Sequence, residues 1–330
     1  KRSDPPPAAM SIGPGPPVDD KALRARVESF AGSVIAGDGR FMAIKRLLAK
    51  ELPTVGGVEH GSDLVGSEAP LSDVIRIVAA MQQSHLVIQG PPGAGKTYTG
   101  SHVIVDLIRR GKTVGVASNS HKAIHNLLEG VIDVAREQAV VFRGFKKKSS
   151  SNPDSHFASD EFDNGEKLTE YDPIRHRVFA GTTWAFAGLP DGVQLDYLFI
   201  DEAGQVSLGN LVAIGVSARN IVLLGDQMQL GQPIQGVHPG RSGESILEYL
   251  LDGRATIPPE EGVFLSQTWR MHPAVCKFIS DAVYDGRLHA AEGVERRHLL
   301  LTQDAHPSLA SVGVRYVPVA HSGRSQSCEE

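Results

Sequence analysis

The sequence predicts an α/β fold built on a parallel sheet, and three observations carry that expectation. The apolar runs His85-Leu86-Val87-Ile88, Tyr197-Leu198-Phe199-Ile200 and Asn220 to Leu224 show no polar alternation, as expected of strands buried on both faces. Helix-period stretches separate them, the pattern of parallel strands joined by helical crossovers. Directly after the first run, Gly90-Pro91-Pro92-Gly93-Ala94-Gly95-Lys96-Thr97 matches the phosphate-binding pattern G-x-x-x-x-G-K-[ST] in a strand–loop–helix setting.

The loop's chemistry follows from its residue types. Glycines at 90, 93 and 95 allow a turn tight enough for successive N–H groups to face a phosphate. Lys96 supplies a point charge for the β- and γ-phosphates, and Thr97 a hydroxyl for Mg²⁺. A helix from Lys96 to about Arg110 would aim its positive end at the same anion. The expected nucleotide-binding residues are therefore Gly90, Pro91, Pro92, Gly93, Ala94, Gly95, Lys96, Thr97 and Tyr98. A plain Gly-Pro turn is the bland alternative, and the length of the pattern argues against it.

The remaining elements can be placed in order. Residues 1–20 are rich in Pro and Gly and are expected to lack fixed structure. Across 21–69, Leu23, Val27, Phe30, Ile44, Leu47 and Leu48 recur at helical spacing, predicting a helical extension that ends in a loop at Gly56–Ser67. A helix from Ser72 to Met81 leads into the first strand. Beyond the phosphate loop come a strand at Thr113–Ala117, a helix near Lys122–Glu137 and a strand at Val178-Phe179-Ala180. Residues 143–172 break the pattern with Lys146-Lys147-Lys148, a Ser run and an acidic stretch. They read as a solvated surface insertion, or as a mobile basic loop that touches a phosphate backbone. A helix at Leu247–Leu251 and the Ile257-Pro258-Pro259 turn fall in a connection spanning 236–261.

Composition narrows the class. At 330 residues the chain suggests about two domains. Its net charge of −5 excludes the global basic field of a dedicated nucleic-acid-binding module, so such contacts must come from local patches. Cys276 and Cys328 offer neither a disulfide framework nor metal-ligand spacing, and the expected compartment is the cytoplasm. No apolar stretch reaches the roughly 20 residues of a membrane span, and the N-terminus does not read as a signal peptide. An opening at Lys1 rather than Met is expected of a piece of a longer protein.

Three further motifs carry chemistry. Asp201-Glu202-Ala203-Gly204-Gln205 follows a buried strand, where unpaired acids are costly and need a reason. Next to a phosphate site Asp201 would hold Mg²⁺, Glu202 would polarise the attacking water, and Gln205 would reach that water or the γ-phosphate. Gly225-Asp226-Gln227-Met228-Gln229-Leu230 ends another strand, with Gln229 a candidate for a phosphate or a neighbouring loop. Taken alone it would be ordinary turn chemistry. Trp269-Arg270-Met271-His272-Pro273 offers an indole face for a base and a guanidinium for a triphosphate. In isolation it would read as a core Trp beside a surface Arg.

Together, Gly90–Thr97, Asp201–Gln205, Gly225–Leu230 and Trp269–Pro273 resemble, in order and form, motifs I, II, III and IV of superfamily 1 helicases. The D-E-A-x-Q, G-D-x-x-Q-L and R-M-H-P forms are similar to the branch that includes the RNA-surveillance and Okazaki-fragment helicases. The likeness is strongest to bacterial proteins in which a RecB-like nuclease domain precedes such a core. It covers about residues 70–290.

The resemblance implies a first RecA-like ATP-binding domain over 70–235 and the beginning of a second RecA-like domain over 262–330. It further implies hydrolysis of ATP with Mg²⁺ and translocation on single-stranded nucleic acid, DNA favoured over RNA. Lys96 would offset phosphate charge, Glu202 and Gln205 would orient water, and Arg270 would stabilise the transition state from the second domain, beside Trp269 on the base. Ser120-His121-Lys122 resembles motif Ia, with His121 where the family often has Asn, and Gly181-Thr182-Thr183 resembles the next strand-binding motif. Ser120, His121, Lys122, Thr182 and Thr183 are thus the expected nucleic-acid contacts. Pro70-Leu71-Ser72-Asp73-Val74 lacks the Gln with which relatives read adenine, and the sequence ends before motifs V and VI. Two other classes stay open: a nucleotide-gated clamp that does not unwind, and another phosphate-loop enzyme such as a kinase.

Overall fold

The computed structural model describes residues 19–231, 238–306 and 308–318. The expected disordered stretch 1–20 lies outside them but for its last two residues, as does the first domain's expected end near 235. Two helices open the described chain, α1 (Lys21–Ala36) and α2 (Met42–Leu48), and α3 (Leu71–Ala79) follows the predicted loop. Then come β1 (His85–Gln89), α4 (Lys96–Arg109), β2 (Val114–Ala117) and α5 (His121–Glu137). Next are β3 (Gly144–Lys147), β4 (Phe162–Gly165), β5 (Val178–Gly181), α6 (Thr183–Ala187) and β6 (Leu195–Ile200). The chain continues through α7 (Leu208–Gly215), β7 (Ala218–Gly225), α8 (Ile246–Leu251), β8 (Gly262–Phe264), β9 (Gln267–Thr268), α9 (Pro273–Val283) and β10 (His289–Ala290).

Eight strands form one sheet in the order β4-β3-β5-β2-β6-β7-β1-β8, with every pairing parallel. The predicted parallel α/β architecture is therefore correct. Alternate strand residues feed two cores: Leu86 and Ile88 pack with α3, α4 and α5, whereas Val87 packs with α2, α7 and α8. A parallel strand between two helical layers must be apolar at every position, which is why the runs carried no alternation. Because all strands point the same way, their carboxyl ends share one edge, where ligands bind in folds of this type.

Three expectations meet a different arrangement. Residues 143–172 are not a surface insertion: β3 and β4 extend the sheet beyond β5, and Phe145, Lys146 and Phe162 are buried. Polar flanks hid these strands, because the Lys run and the Ser run mask a four-residue ladder. Lys146 is fully buried, its ammonium donating to Lys147 O and Ser155 O at 3.1 Å each, so it touches no external phosphate. The strand at 262–264 belongs to the first sheet, while β9 and β10 pair with each other in a separate two-stranded sheet. Residues Gly262, Val263 and Phe264 pair in register with Val87, Ile88 and Gln89, making β8 the edge strand beside β1. α8 likewise packs its Ile246, Leu247 and Leu251 into the core under α7 rather than lying in an open connection.

Candidate functional site

The phosphate loop leaves the buried end of β1 and enters α4 through Gly95 at φ 87°. Its lysine is placed as the motif requires, with Lys96 Nζ donating to Gly90 O at 2.7 Å, folded back over the loop. Gly93 sits at φ 76°, and a Cβ built on it would lie 2.3 Å from the Cβ of Arg270. Here glycine serves two ends, a left-handed turn and the close approach of a second segment.

That second segment is the Trp269–Arg270 motif. Trp269 N–H donates to Gly93 O at 2.9 Å, and the Thr268 hydroxyl donates to Pro92 O at the same distance. Since β8 continues the sheet from β1, its outgoing chain crosses the phosphate loop directly. Trp269 and Arg270 follow β9, which pairs with β10 outside the large sheet, and in this structure they already lie against the loop. Trp269 remains 56% exposed and, with exposed Tyr98, lines a cleft of about 620 Å³ that Pro70, Leu71, Glu68 and Gln267 also line. Gln267 is the amide in this cleft, in a chain that lacks the upstream Gln.

The acidic pair lies one strand beyond β7. Asp201 is buried, and burial followed by the charge of Glu202 raises its pKa from the ordinary carboxylate value to about 6. The Glu202 N–H bonded to Asp201 Oδ1 at 2.9 Å and the charge of Lys96 act in the opposite direction. Glu202 itself adopts φ 53°, a left-handed conformation uncommon for a side chain of this size. Gln205 closes the following turn, and its carbonyl accepts the Asn119 side-chain amide at 2.6 Å.

The Gly225–Leu230 loop links these parts. Gly225 O accepts Gly90 N–H at 2.9 Å, and a Cβ on Gly225 would meet the Ala203 and Gly204 nitrogens at 3.0 and 3.1 Å. Asp226 is buried, and its Oδ2 accepts the Tyr284 hydroxyl at 2.7 Å and the Gln229 side chain at 3.3 Å. Gln227 bonds Gln89 at 2.9 Å, and Gln89 also holds Ala255 O and Ile257 N. The four motifs are therefore joined by direct contacts at one end of β1, β6, β7 and β8.

Sequence reasoning missed Gln89, Asn119, Gln267 and Tyr284. Gln89 left a signal, since a fully buried amide at the end of an apolar strand must have bonding partners. Tyr284 left none, because its partner is 58 residues away.

The expected strand contacts lie where β2 and β5 end, and they are not equivalent. Lys122 is exposed, and Thr182 is half-buried. The Ser120 hydroxyl caps α5 by accepting Ala123 N–H at 3.4 Å. His121 places Nδ1 3.3 Å from Lys146 Nζ, and burial, then that lysine's charge, lowers its pKa. Thr183 is buried, its hydroxyl 3.4 Å from Asn119 Oδ1, so it supports the edge without facing a ligand.

A family model described as an AAA domain matches residues 72–298. The chain is 26% identical over 341 residues to a regulator of nonsense transcripts 1 homolog of Drosophila melanogaster, covering 92% of this chain and 28% of that protein. It is 25% identical over 260 residues to the DNA polymerase alpha-associated DNA helicase A of Schizosaccharomyces pombe, covering 65% and 38% respectively. Among solved structures, an arterivirus nonstructural protein 10 helicase in complex with DNA aligns with a TM-score of 0.41 at 18% identity, over 63% of this chain and 41% of that one. The chain thus spans well under half the length of the curated relatives it matches, 28% and 38% for these two. With the match running from the helix before the phosphate loop to the residues beyond Arg270, the chain belongs to the AAA domain family, in superfamily 1 of the helicases.

Proposed function

We propose that this chain is the ATP-hydrolysing core of a translocase on single-stranded nucleic acid, with DNA the favoured substrate. The observation that carries the reading is the convergence of the phosphate loop, Asp201–Gln205, Asp226–Gln229 and Trp269–Arg270 at one sheet edge through the Gly90–Gly225 and Gly93–Trp269 bonds. A kinase would need an acceptor pocket in place of the Trp269–Arg270 segment. The similarity to a DNA helicase of Schizosaccharomyces pombe adds support.

In this reading the triphosphate lies on the loop, with Lys96 and Arg270 on its phosphates. Adenine enters the cleft between Tyr98 and Trp269. Glu202 accepts the proton of the attacking water, while Gln205 and Gln229 orient that water and the γ-phosphate. The residues present also suit Mg²⁺. Asp201 is a buried carboxylate whose raised pKa a cation would bring down, and the Thr97 hydroxyl opens α4, giving two hard oxygen donors to share with phosphate oxygens. When bound, the cation neutralises charge on the transferred phosphoryl group.

Strand-stimulated phosphate release is the test. Wild-type protein should release phosphate from ATP faster with oligothymidylate present, and Lys96→Ala should abolish release with and without the strand. Turnover at the wild-type rate in Lys96→Ala would remove this site from the chemistry. Phosphate appearing on a small acceptor in thin-layer analysis would favour the kinase instead, and stimulation without unwinding the clamp.

A further inference from the structure

We propose that Trp184 is a stacking platform for a base of the bound single strand, a role that rests on the strand-binding reading of this sheet edge. Trp184 stands in the first turn of α6, directly beyond Gly181-Thr182-Thr183 at the carboxyl end of β5. Of the five residues of α6, Thr183, Ala185, Phe186 and Ala187 are buried, and Trp184 alone turns outward, 44% exposed. An indole that met only the need for packing would sit on the inner side with Phe186.

Its polar atom is already satisfied: the indole N–H donates to Asp19 O at 3.1 Å, just ahead of α1. That bond fixes the ring's orientation from one edge and leaves part of its surface in solvent. A pre-oriented ring suits base stacking, which uses the π-face and tolerates every base.

The neighbours supply the rest of a strand site. In the sheet β5 lies between β3 and β2, so three adjacent strand ends share a stretch of about 10 Å. The end of β3 brings Lys147, whose ammonium donates to Lys148 O at 2.6 Å, and Lys148; the cap and first turn of α5 after β2 bring Ser120 and Lys122, and the residue after β5 is Thr182. Thr183 ties the β5 and β2 ends together through Asn119. Ammonium and hydroxyl groups at strand ends next to the one that leads into the exposed ring match a phosphate backbone carrying bases, in a chain whose net charge is −5. The nucleotide cleft has its own aromatics, Tyr98 in α4 and Trp269 after β9.

The chain holds two tryptophans, Trp184 and Trp269, which lets one fluorophore be read at a time. In Trp269→Phe, oligothymidylate should quench the remaining Trp184 emission along a saturable curve, because thymine stacked on indole quenches it. In Trp184→Phe, ATP should perturb Trp269 emission while oligothymidylate leaves it nearly unchanged. Trp184→Ala should weaken oligothymidylate binding by about ten- to a hundredfold with ATP affinity retained, and Trp184→Phe should recover most of it. Trp184 as a mere clamp on α1 would instead lower the melting temperature of Trp184→Ala and leave its strand affinity at the wild-type value, which overturns the proposal. Lys122→Glu separates the two levels of failure. If it weakens strand binding and Trp184→Ala does not, only the stacking role falls. If neither does, or the wild type binds no strand, the strand-binding reading of the edge falls with it.

Discussion

Glu202 holds a left-handed backbone at φ 53°, a conformation that costs a non-glycine residue on the order of 1–3 kcal/mol when its surroundings impose it. The turn places its side chain just past the end of β6, next to the buried Asp201. Glu202→Gln keeps shape and backbone but removes the base. Nucleotide affinity should persist while turnover falls about 10²-fold or more. Loss of nucleotide binding with unchanged turnover per bound nucleotide would exchange the roles of Asp201 and Glu202.

Lys146 is a second residue whose environment decides its chemistry. Burial, then the charge of Lys147, lowers its pKa from 10.5 to about 8. The native state therefore gives up this proton at lower pH than the unfolded chain does, so stability gains as pH rises through 8 and levels off near 10.5. Below pH 8 the buried charge is carried at its full cost. Lys146→Met should erase that pH-dependent gain, on the order of 1 kcal/mol per pH unit inside the window. Urea unfolding at several pH values measures it, and parallel slopes for the two proteins would show that the ammonium is adequately solvated.

At the scale of elements, the strands and helices that carry long apolar or periodic patterns were legible. β1, β6, β7, α4 and α5 all fall within a residue or two of their predicted bounds. What stayed hidden was short or non-local. β3 and β4 have four residues each, with polar neighbours that outweigh their own pattern. β8 has three residues, and its place beside β1 depends on a pairing across more than 170 positions that no local window can report. The site motifs were legible one by one because phosphate chemistry restricts residue type. The tie between Tyr284 and Asp226 was not, because a hydrogen bond at long range leaves no spacing in the sequence.

That tie joins the end of α9 to the loop that carries Gln229. Tyr284→Phe leaves the Asp226 carboxylate buried with one donor fewer, a change of about 1–3 kcal/mol in stability. Tyr284 is also a positioning residue, since Asp226 Oδ2 holds both its hydroxyl and Gln229. Turnover should fall several-fold while KM for ATP stays near the wild-type value. A stability loss with unaltered kcat would reduce Tyr284 to packing.

At the scale of the whole molecule, the eight-stranded sheet takes in residues from both sides of the expected domain boundary at 262. A fragment ending at Gly253 would lose β8, β9 and α9 together and expose the outer edge of β1, along with the apolar surface that Val263 and Phe264 cover. An unpaired central strand of this kind invites association. Such a fragment should be poorly soluble, or should melt well below the longer chain. A soluble, cooperatively melting fragment that retains wild-type nucleotide affinity would show that β8 contributes little.

The bond from Trp269 N–H to Gly93 O gives the phosphate loop and the Trp269–Arg270 segment a common opening equilibrium. That amide can exchange with solvent only when the two part. A ligand that binds the closed arrangement alone raises the free energy of opening by RT ln(1 + [L]/Kd), about 2.7 kcal/mol at a hundredfold excess over Kd. Saturating nucleotide should therefore slow deuterium uptake by up to about a hundredfold at Trp269 and Leu265, whose amides close on the loop side of the sheet, as well as within 90–97. Amides such as Gly111 and Val140, at the far ends of α4 and α5, should show no comparable slowing. Protection confined to 90–97 would mean that the loop can open without its neighbour. Protection at both places would make the Trp269 amide a sensor of nucleotide occupancy.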